Sequence, residues 1–289
     1  MRLLLKFNLI FALVFALGLM GCGWLSRDLL QRNAKEEILE HARLLMEKAI
    51  AVRNYTTSQI QPLLGTQMKY SFLPQSVPAY AATEVLHELA RKYPEYGYKE
   101  ATLNPTNPRD KAVAWEEDIV NRFRNVESQK ELSGERDSPT GRMLFIARPL
   151  KITNPACLVC HSTVDAAPKP MLDRYGPANG FGWNLNEVIG AQVVSVPMTV
   201  PLARAQATWR VFMLSLGGVF VAIAVVLNLM LWALVIRPVT RLSALADKVS
   251  LGEMDAPEFK AASHDEIGVL AASFARMRRS LEQAMKMLS

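Results

Sequence analysis

The residues best suited to chemistry lie in one short run, Asn154-Pro155-Ala156-Cys157-Leu158-Val159-Cys160-His161-Ser162. Cys-x-x-Cys-His is the attachment signature of c-type haem. Two thiols at this spacing can reach the two vinyl groups on one edge of a porphyrin, and the histidine that follows is placed to bind the iron. The motif occurs once, which predicts one covalent haem c held by Cys157, Cys160 and His161.

Two other kinds of site use a Cys-x-x-Cys pair. A redox-active thiol pair is expected beside a β-α-β pattern, and it would give His161 no role. A structural zinc site needs four ligands, and the sequence has no second cluster of Cys and His. Covalent haem is therefore the favoured interpretation, and an extracytoplasmic location would agree with it because bacteria attach haem c outside the cytoplasmic membrane.

The motif does not determine the sixth ligand of the iron. His41 and Met46 are the first candidates, because they lie on a long helix predicted over residues 36–61. An open or weakly held sixth position is the alternative. Met is more often a core residue than a ligand, and the same reservation applies to the further candidates Met68, Met143, Met171 and Met198.

A glycine-rich loop follows the motif, Tyr175-Gly176-Pro177-Ala178-Asn179-Gly180-Phe181-Gly182-Trp183. Glycines permit tight turns and a close approach of backbone to a flat ligand. Phe181 and Trp183 could pack on the porphyrin, or they could simply fill an ordinary loop. Haem propionates need cationic partners, for which the candidates are Arg109, Arg142 and Arg148.

Regular elements must position this motif. Residues 142–150 read as a strand that leads into it, and residues 189–198 read as a second strand with alternating apolar residues. Asn104-Pro105-Thr106-Asn107-Pro108-Arg109 predicts an ordered turn before a helix over residues 111–123. These elements indicate a small α+β domain.

An ordered set of motifs in this region resembles the PAS-like single-haem c-type sensor domain of bacterial membrane receptors. The resemblance covers roughly residues 30–200, and it implies a PAS-like antiparallel sheet with flanking helices, periplasmic placement and a sensory role. It also implies that Cys157, Cys160 and His161 bind haem. The motifs that carry it are Asn54-Tyr55-Thr56, Ile60-Gln61-Pro62, Asn104 to Pro108, Trp115-Glu116, Ala147-Arg148-Pro149-Leu150, the haem motif, Tyr175-Gly176, Gly180 to Trp183, Gly190-Ala191 and Val196-Pro197-Met198.

Two uncharged apolar runs flank the predicted haem domain, residues 9–25 and 211–236. Both are long enough to cross a hydrocarbon core of about 30 Å. The first is at the border between an anchor and a cleaved signal peptide, and an uncleaved anchor is favoured because the run exceeds a usual signal core. Cys22 follows Leu19-Met20-Gly21, which loosely resembles a lipoprotein cleavage box, so lipidation of Cys22 is an alternative.

Basic residues set the predicted orientation. Arg2 and Lys6 precede the first run, and Arg237, Arg241 and Lys248 follow the second, so both flanks should face the cytoplasm. The chain then divides into an anchor (1–26), a periplasmic haem domain (27–209), a second membrane helix (210–236) and a cytoplasmic segment (237–289). The sequence therefore predicts a two-pass protein of the bacterial inner membrane.

Composition agrees with a folded membrane protein. Hydrophobic residues make up 50% and charged residues 21% of the chain, which excludes wholesale disorder. The net charge of +6 is spread rather than clustered, since residues 26–210 hold 23 Lys/Arg against 20 Asp/Glu. A nucleic-acid-binding protein would concentrate basic residues in a patch, so nucleic acid is not an expected partner.

The C-terminal segment has the pattern of two amphipathic helices. The first contains Pro238 and the second opens at Asp265-Glu266-Ile267-Gly268. The second carries apolar residues at spacings of three and four, which predicts a coiled-coil seam: Ile267, Leu270, Phe274, Met277, Leu281, Ala284 and Leu288. This pair resembles a HAMP signalling domain, and the resemblance implies a homodimer, because HAMP units are parallel four-helix bundles. A generic dimeric coiled coil is the alternative.

We therefore expect an α+β, PAS-like haem domain between two transmembrane helices, followed by a HAMP helical coiled coil. The expected function is a membrane-bound haem-based sensor that relays haem redox state or binding of a diatomic gas to the HAMP domain. No kinase, cyclase or methyl-accepting segment follows, so a cytoplasmic signalling partner would act in trans. A membrane-anchored c-type cytochrome for electron transfer is the alternative, and we do not expect an enzyme, since a peroxidase-type distal acid/base is not evident.

Overall fold

The computed structural model describes residues 3–139, 141–253, 257 and 265–288. The chain divides into two units, one formed by Met1–Ser26 with Trp209–Ser289 and the other by Arg27–Thr208. Each unit is described by itself below.

The helices of the second unit begin with the last part of α1 (Leu3–Tyr55), which continues through a π-helical turn (Thr56–Ile60) into the short α2 (Gln61–Leu64). The next helices are α3 (Pro78–Lys92) and α4 (Ala114–Asn125). Two short helices follow, α5 (Leu158–His161) and α6 (Lys169–Tyr175).

Four antiparallel strands form one sheet in the order β1-β4-β3-β2. They are β1 (Gly97–Thr102), β2 (Leu132–Ser138), β3 (Gly141–Lys151) and β4 (Val188–Pro197). The strands expected over residues 142–150 and 189–198 are thus confirmed, as is the mixed helix and antiparallel-sheet fold. The predicted helices over 36–61 and 111–123 correspond to the end of α1 with its π-helical turn and to α4.

Both faces of the sheet are covered because its strands alternate apolar side chains between two cores. On one face Ile146 and Val194 pack in a cluster with α1 and α3, which contribute Met46 and Leu86. On the other face, strand residues such as Val193 pack against α4. The central strands are therefore rigid, and they fix the ends of β3 and β1, where the haem motif and the Asn104–Pro108 turn begin.

The first unit contains the two apolar helices. They belong to the helical stretches Leu4–Leu64 and Thr199–Ser250, which extend beyond this unit and are, by length and composition, long and apolar enough to cross a membrane. Helix α7 (Thr199–Leu231) passes through a second π-helical turn (Trp232–Ile236) into α8 (Arg237–Ser250). The last helix is α9 (Glu266–Leu288).

Specific contacts join the two apolar helices within this unit. The amides of Asn8 and Asn228 donate to each other's oxygens, at 2.9 Å and 2.8 Å. Phe15 stacks on Phe220 with ring centroids 5.0 Å apart. Reciprocal hydrogen bonds between side-chain amides satisfy groups that would be costly to leave unpaired in hydrocarbon.

One residue separates the end of each π-helical turn from a proline. The N–H of Gln61 donates to the carbonyl of Thr56, and Pro62 follows. In the same way the N–H of Arg237 donates to Trp232, and Pro238 follows. Proline lacks an N–H and its ring crowds the preceding turn, so the residue before it reaches one carbonyl further back.

The C-terminal helices place part of the predicted seam at the surface. Leu242 and Val249 of α8 and Ala271 of α9 are buried, whereas Met277 and Leu281 are 53% and 43% exposed. The side chain of Leu288, the last seam position, lies outside the described residues. Asp265 accepts a hydrogen bond from the Gly268 N–H at 3.0 Å and so caps the start of α9.

Candidate functional site

The Cys-x-x-Cys-His segment is folded as a tight helical turn at the end of β3. A 3-10 turn (Pro155–Cys157) leads directly into α5. Asn154 begins it, because its side-chain oxygen accepts the Ala156 N–H at 2.9 Å. Helical backbone over this run places Cys157 and Cys160, three residues apart, on neighbouring positions of one face.

Both thiols of the motif are free and half-buried. Burial raises the pKa of the Cys160 thiol, and the neighbouring Cys157 raises it further. Two reduced thiols on one face, with an imidazole next in sequence, form the donor set that covalent haem requires. The segment therefore fits the group that the sequence predicts.

The imidazole of His161 is oriented by the backbone of the glycine-rich loop. Its Nδ1 lies 2.7 Å from the carbonyl oxygen of Gly180, so Nδ1–H donates and Nε2 is the nitrogen left to bind a metal. The Thr106 hydroxyl is 3.5 Å from the same Nδ1. Burial lowers the pKa of His161, the Gly180 carbonyl partly opposes that shift, and the ring is held in the neutral form that ligates metals.

Trp183 covers one face of this imidazole. The two ring centroids are 3.9 Å apart and the planes differ by 17°. The pairing is fixed by backbone hydrogen bonds between the loop and the motif: Gly182 N–H donates to Ser162 at 2.8 Å, and Trp183 N–H donates to His161 at 3.1 Å. The predicted role of Trp183 as packing on the porphyrin remains untested, and the contact observed is with the histidine.

Gly180 is required where the loop crosses the turn after β1. Its φ is +87°, and a Cβ built there would lie 2.0 Å from the Thr106 hydroxyl oxygen and 2.9 Å from the Thr106 Cα. Asn104 holds the same point, because its side-chain oxygen accepts the Gly180 N–H at 3.3 Å and its amide donates to the Phe181 carbonyl at 3.4 Å. The close backbone approach that we expected at these glycines is present at Gly180, and the group it approaches is Thr106 of the protein.

The arginines proposed for haem propionates all pair with carboxylates. Arg109 bonds Glu84 and lies over the ring of Tyr80 at 4.8 Å. It lies three residues after Thr106, whose hydroxyl is 3.5 Å from His161 Nδ1. Arg142 bonds Glu135 at the end of β3 away from the motif.

Arg148 stands nearer the motif end of β3. It bonds Glu47 of α1 at 2.6 Å and Glu131 at 3.1 Å. Because each of these cations already has a partner, none is preorganised for an added anion. Their assignment to propionates stays a prediction.

The two candidates for the sixth ligand occupy different faces of α1. His41 is exposed, and Met46 is fully buried in the cluster that contains Ile146 and Val194. Met68 accepts hydrogen bonds at its sulfur from the Leu73 N–H (3.1 Å) and the Ser76 hydroxyl (3.2 Å). Nothing in these contacts selects a sixth ligand, so His41 and Met46 remain predictions. Cys22, the candidate for lipidation, is exposed.

Sequence patterns alone did not assign a role near the site to several residues. Asn104 and Thr106 were expected only as part of a turn, yet they contact Gly180 and His161. The run Asn-Pro-Thr-Asn-Pro was the available signal, because so rigid a turn is suited to hold a neighbouring loop. A buried ion pair of Arg53 and Glu100 was not foreseen.

Two protein-family models match the chain. The Tll0287-like family model, described as Tll0287, matches residues 31–197. The chain belongs to the Tll0287-like family. A second model, the HAMP domain, matches residues 230–283, so a HAMP domain follows the Tll0287-like domain.

One solved structure is similar to the chain, the cyanobacterial heme-protein Tll0287. The match has 16% sequence identity and a TM-score of 0.43, and it covers 56% of this chain and 95% of the other. No curated protein matches. The expected family and the HAMP domain are thus both confirmed, and a Tll0287-like domain with a HAMP domain indicates a membrane signal transducer.

Proposed function

We propose that the protein is a haem-based membrane sensor in which Cys157 and Cys160 attach one haem c and His161 is the proximal ligand. The observation that carries this proposal is the hydrogen bond from His161 Nδ1–H to the Gly180 carbonyl, which leaves Nε2 as the metal-binding nitrogen. A surface histidine of no function would have no need of a buried backbone acceptor and a stacked indole. The protein after which the family is named is described as a heme-protein, which agrees.

The residues of the site would have separate roles. Each thiol can add across a vinyl group, the sulfur bonding one carbon and the hydrogen going to the other. Gly180 fixes the tautomer and direction of the imidazole, while Trp183 packs against its face and excludes water. When bound, haem supplies an iron whose charge or sixth ligand changes with redox state or with a diatomic gas.

The signal would leave the domain along its helices. The Tll0287-like domain lies in the sequence between the two apolar helices, and the HAMP domain follows the second. We place the haem domain in the periplasm and the HAMP domain in the cytoplasm, with the boundaries 27–209 and 237–289. The exposed seam residues Met277 and Leu281 support a homodimer, because a parallel four-helix bundle would bury them.

The partner in trans remains part of the proposal, as does the choice between redox change and gas. We also propose that the protein turns over neither peroxide nor nitrite. The alternative, an electron-transfer cytochrome, would exchange electrons without any response of the HAMP domain. One set of measurements distinguishes the sensor from the electron-transfer cytochrome.

The experiment is spectroscopy on the full chain produced with c-type haem maturation and purified in detergent. Spectra are recorded oxidised, reduced, and reduced with carbon monoxide or nitric oxide, and HAMP helix mobility is followed by a spin label on α9. Covalent haem, with a label spectrum that changes between haem states, supports a sensor. Rapid electron exchange with a soluble cytochrome and an unchanged label supports the carrier.

Three variants control the assignment. Cys157→Ala with Cys160→Ala should abolish covalent haem, and His161→Ala should retain attached haem with an altered spectrum. Ser162→Ala, next to the motif, should behave as the wild-type protein. Absence of covalent haem from the wild-type chain would reject the proposal and reopen the thiol and zinc interpretations.

A further inference from the structure

A buried polar network joins α1 to the edge of the sheet. Arg53 of α1 forms an ion pair with Glu100 of β1. The Tyr98 hydroxyl donates to Glu100 Oε1 at 2.8 Å, and Gln192 Nε2 donates to the Tyr98 oxygen at 3.0 Å. Glu100 and Gln192 are direct cross-strand partners. The network thus spans three elements, α1, β1 and β4.

The hydrogen bonds of this network have defined directions. Because Gln192 donates to the Tyr98 oxygen, the Tyr98 proton must point at Glu100, which then accepts from two donors. The Glu100 side chain is only 5% exposed, and Arg53 is 29% exposed. The charge of Arg53 offsets part of the cost of burying this carboxylate.

Glu100 lies near the end of β1 that leads into the turn at the candidate haem site. Glu100 is four residues before Asn104 and six before Thr106, which contact Gly180 and His161. Burial opposes the charge of Arg53, but Glu100 outweighs it and raises the pKa of Arg53, with a smaller contribution in the same direction from Cys157.

We propose that the opposite charges of Arg53 and Glu100 each shift the reduction potential of the attached haem, in opposite directions, so that the two effects balance while both residues are present. This inference rests on the proposed function. Reduction adds one electron to the iron, so a nearby cation favours the reduced state and a nearby anion the oxidised state. In a site of low dielectric, a single fixed charge has a larger effect than it has in water.

The same strand offers a matched control. Lys99 pairs with Glu116 at 2.7 Å, and their side chains are 27% and 6% exposed, close to the values for Arg53 and Glu100. Because neighbouring residues of a strand point to opposite faces, this pair lies on the α4 face of the sheet. It carries the same charges with similar burial, on the other side of β1.

The test is spectroelectrochemical titration of the full-length haem-loaded protein in detergent. Glu100→Gln should raise the reduction potential and Arg53→Met should lower it. The double variant should return close to the wild-type value, and Arg53→Lys should keep it. Lys99→Met and Glu116→Gln should shift the potential less than their counterparts do.

Each outcome of the titration either supports the inference about Arg53 and Glu100 or overturns it. If Arg53→Met fails to accumulate, Glu100→Gln and Arg53→Lys carry the test, since neither creates an unpaired buried anion. An unchanged potential in Glu100→Gln, or an equal shift from the Lys99 pair, overturns the inference while leaving the haem assignment intact. A wild-type chain without covalent haem instead removes the proposed function itself.

Discussion

The imidazole of His161 and the indole of Trp183 lie face to face, 3.9 Å between ring centroids. The stack locks the ring about its Cβ–Cγ bond, while the Gly180 carbonyl locks it through Nδ1. Two independent restraints on one imidazole are more than a structural residue needs, and they suit a ligand that must not rotate away from a metal.

Removing the indole should loosen this ligand. We expect Trp183→Leu to lower the free energy of unfolding of the domain by about 1 kcal/mol, with a smaller loss for Trp183→Phe, since stacked aromatic pairs contribute about that much. Chemical unfolding followed by circular dichroism measures it. Phe181→Leu is the control, because Phe181 shares the loop and is not stacked on His161; an equal loss there would show that the stack itself contributes little.

Alanine substitutions at Gly180 and Gly182 would distinguish the cost of backbone strain from the cost of a steric clash. Both have positive φ, but a Cβ at Gly180 would strike Thr106, whereas at Gly182 no atom lies within 4 Å. We expect Gly180→Ala to destabilise the domain by about 3 kcal/mol or more and Gly182→Ala by about 1–2 kcal/mol. Thermal unfolding of the two variants decides, and similar losses would contradict the tight crossing of the loop over the turn.

Asp110 should make stability depend on pH. Burial raises the pKa of Asp110 to about 6, with Arg109 opposing the shift. The unfolded carboxyl releases its proton near pH 4 and the folded one near pH 6, so the unfolded state binds fewer protons in between. Stability should therefore fall as pH rises from about 4 to about 6, by up to about 3 kcal/mol.

The change Asp110→Asn should flatten that slope and leave the protein more stable than wild type at pH 7. Urea unfolding at pH 4, 5, 6 and 7, followed by tryptophan fluorescence, tests the sign. The other charges around this carboxyl are those of Lys99, Glu84 and Glu100. A slope that persists unchanged in the Asn variant would show that Asp110 is not its source.

The paired amides of Asn8 and Asn228 should hold the two apolar helices together. Asn8→Leu removes both mutual hydrogen bonds, although the Asn228 amide keeps its bond to the Ala224 carbonyl at 2.8 Å. We expect a loss of about 1 kcal/mol in mixed-micelle unfolding. Leu9→Ala, one position along and exposed, is the control, and an equal loss there would deny the amides a specific role.

Seam residues should govern the oligomeric state. Leu281→Glu places a charge on the exposed apolar face of α9 and should convert dimers to monomers in sedimentation measured in detergent. Ser280→Glu adds the same charge one position away and should leave the dimer intact. Monomeric wild-type protein would contradict the homodimer proposed from the HAMP domain.

Strands β3 and β4 were predictable because their cores are apolar and alternate in the expected way. Strand β1 was not, since its buried positions include Glu100 and Thr102, polar residues that look like loop residues in the sequence. Glu100 is tolerated only because Arg53 reaches it from α1, 47 residues earlier in the chain. No local pattern encodes a partner at that distance.

The candidate site was likewise predictable from the sequence only in part. The spacing of Cys157, Cys160 and His161 carries the chemistry by itself, so these residues were identifiable at once. The hydrogen bonds that orient the imidazole come from Gly180 and the turn at Thr106, and they exist only once β1 and the glycine-rich loop are brought together.

The π-helical turn at Trp232–Ile236 sets the phase between the membrane helix and the HAMP domain. Such a turn accommodates one more residue than an α-helical turn, and one residue corresponds to about 100° of rotation. The turn therefore holds one residue more than an α-helical turn between α7 and α8. Deleting one residue in this turn should convert it to an α-helical turn and leave the phase of α8 nearly unchanged, whereas the same deletion elsewhere in α7 should rotate α8 by about 100° relative to the start of α7.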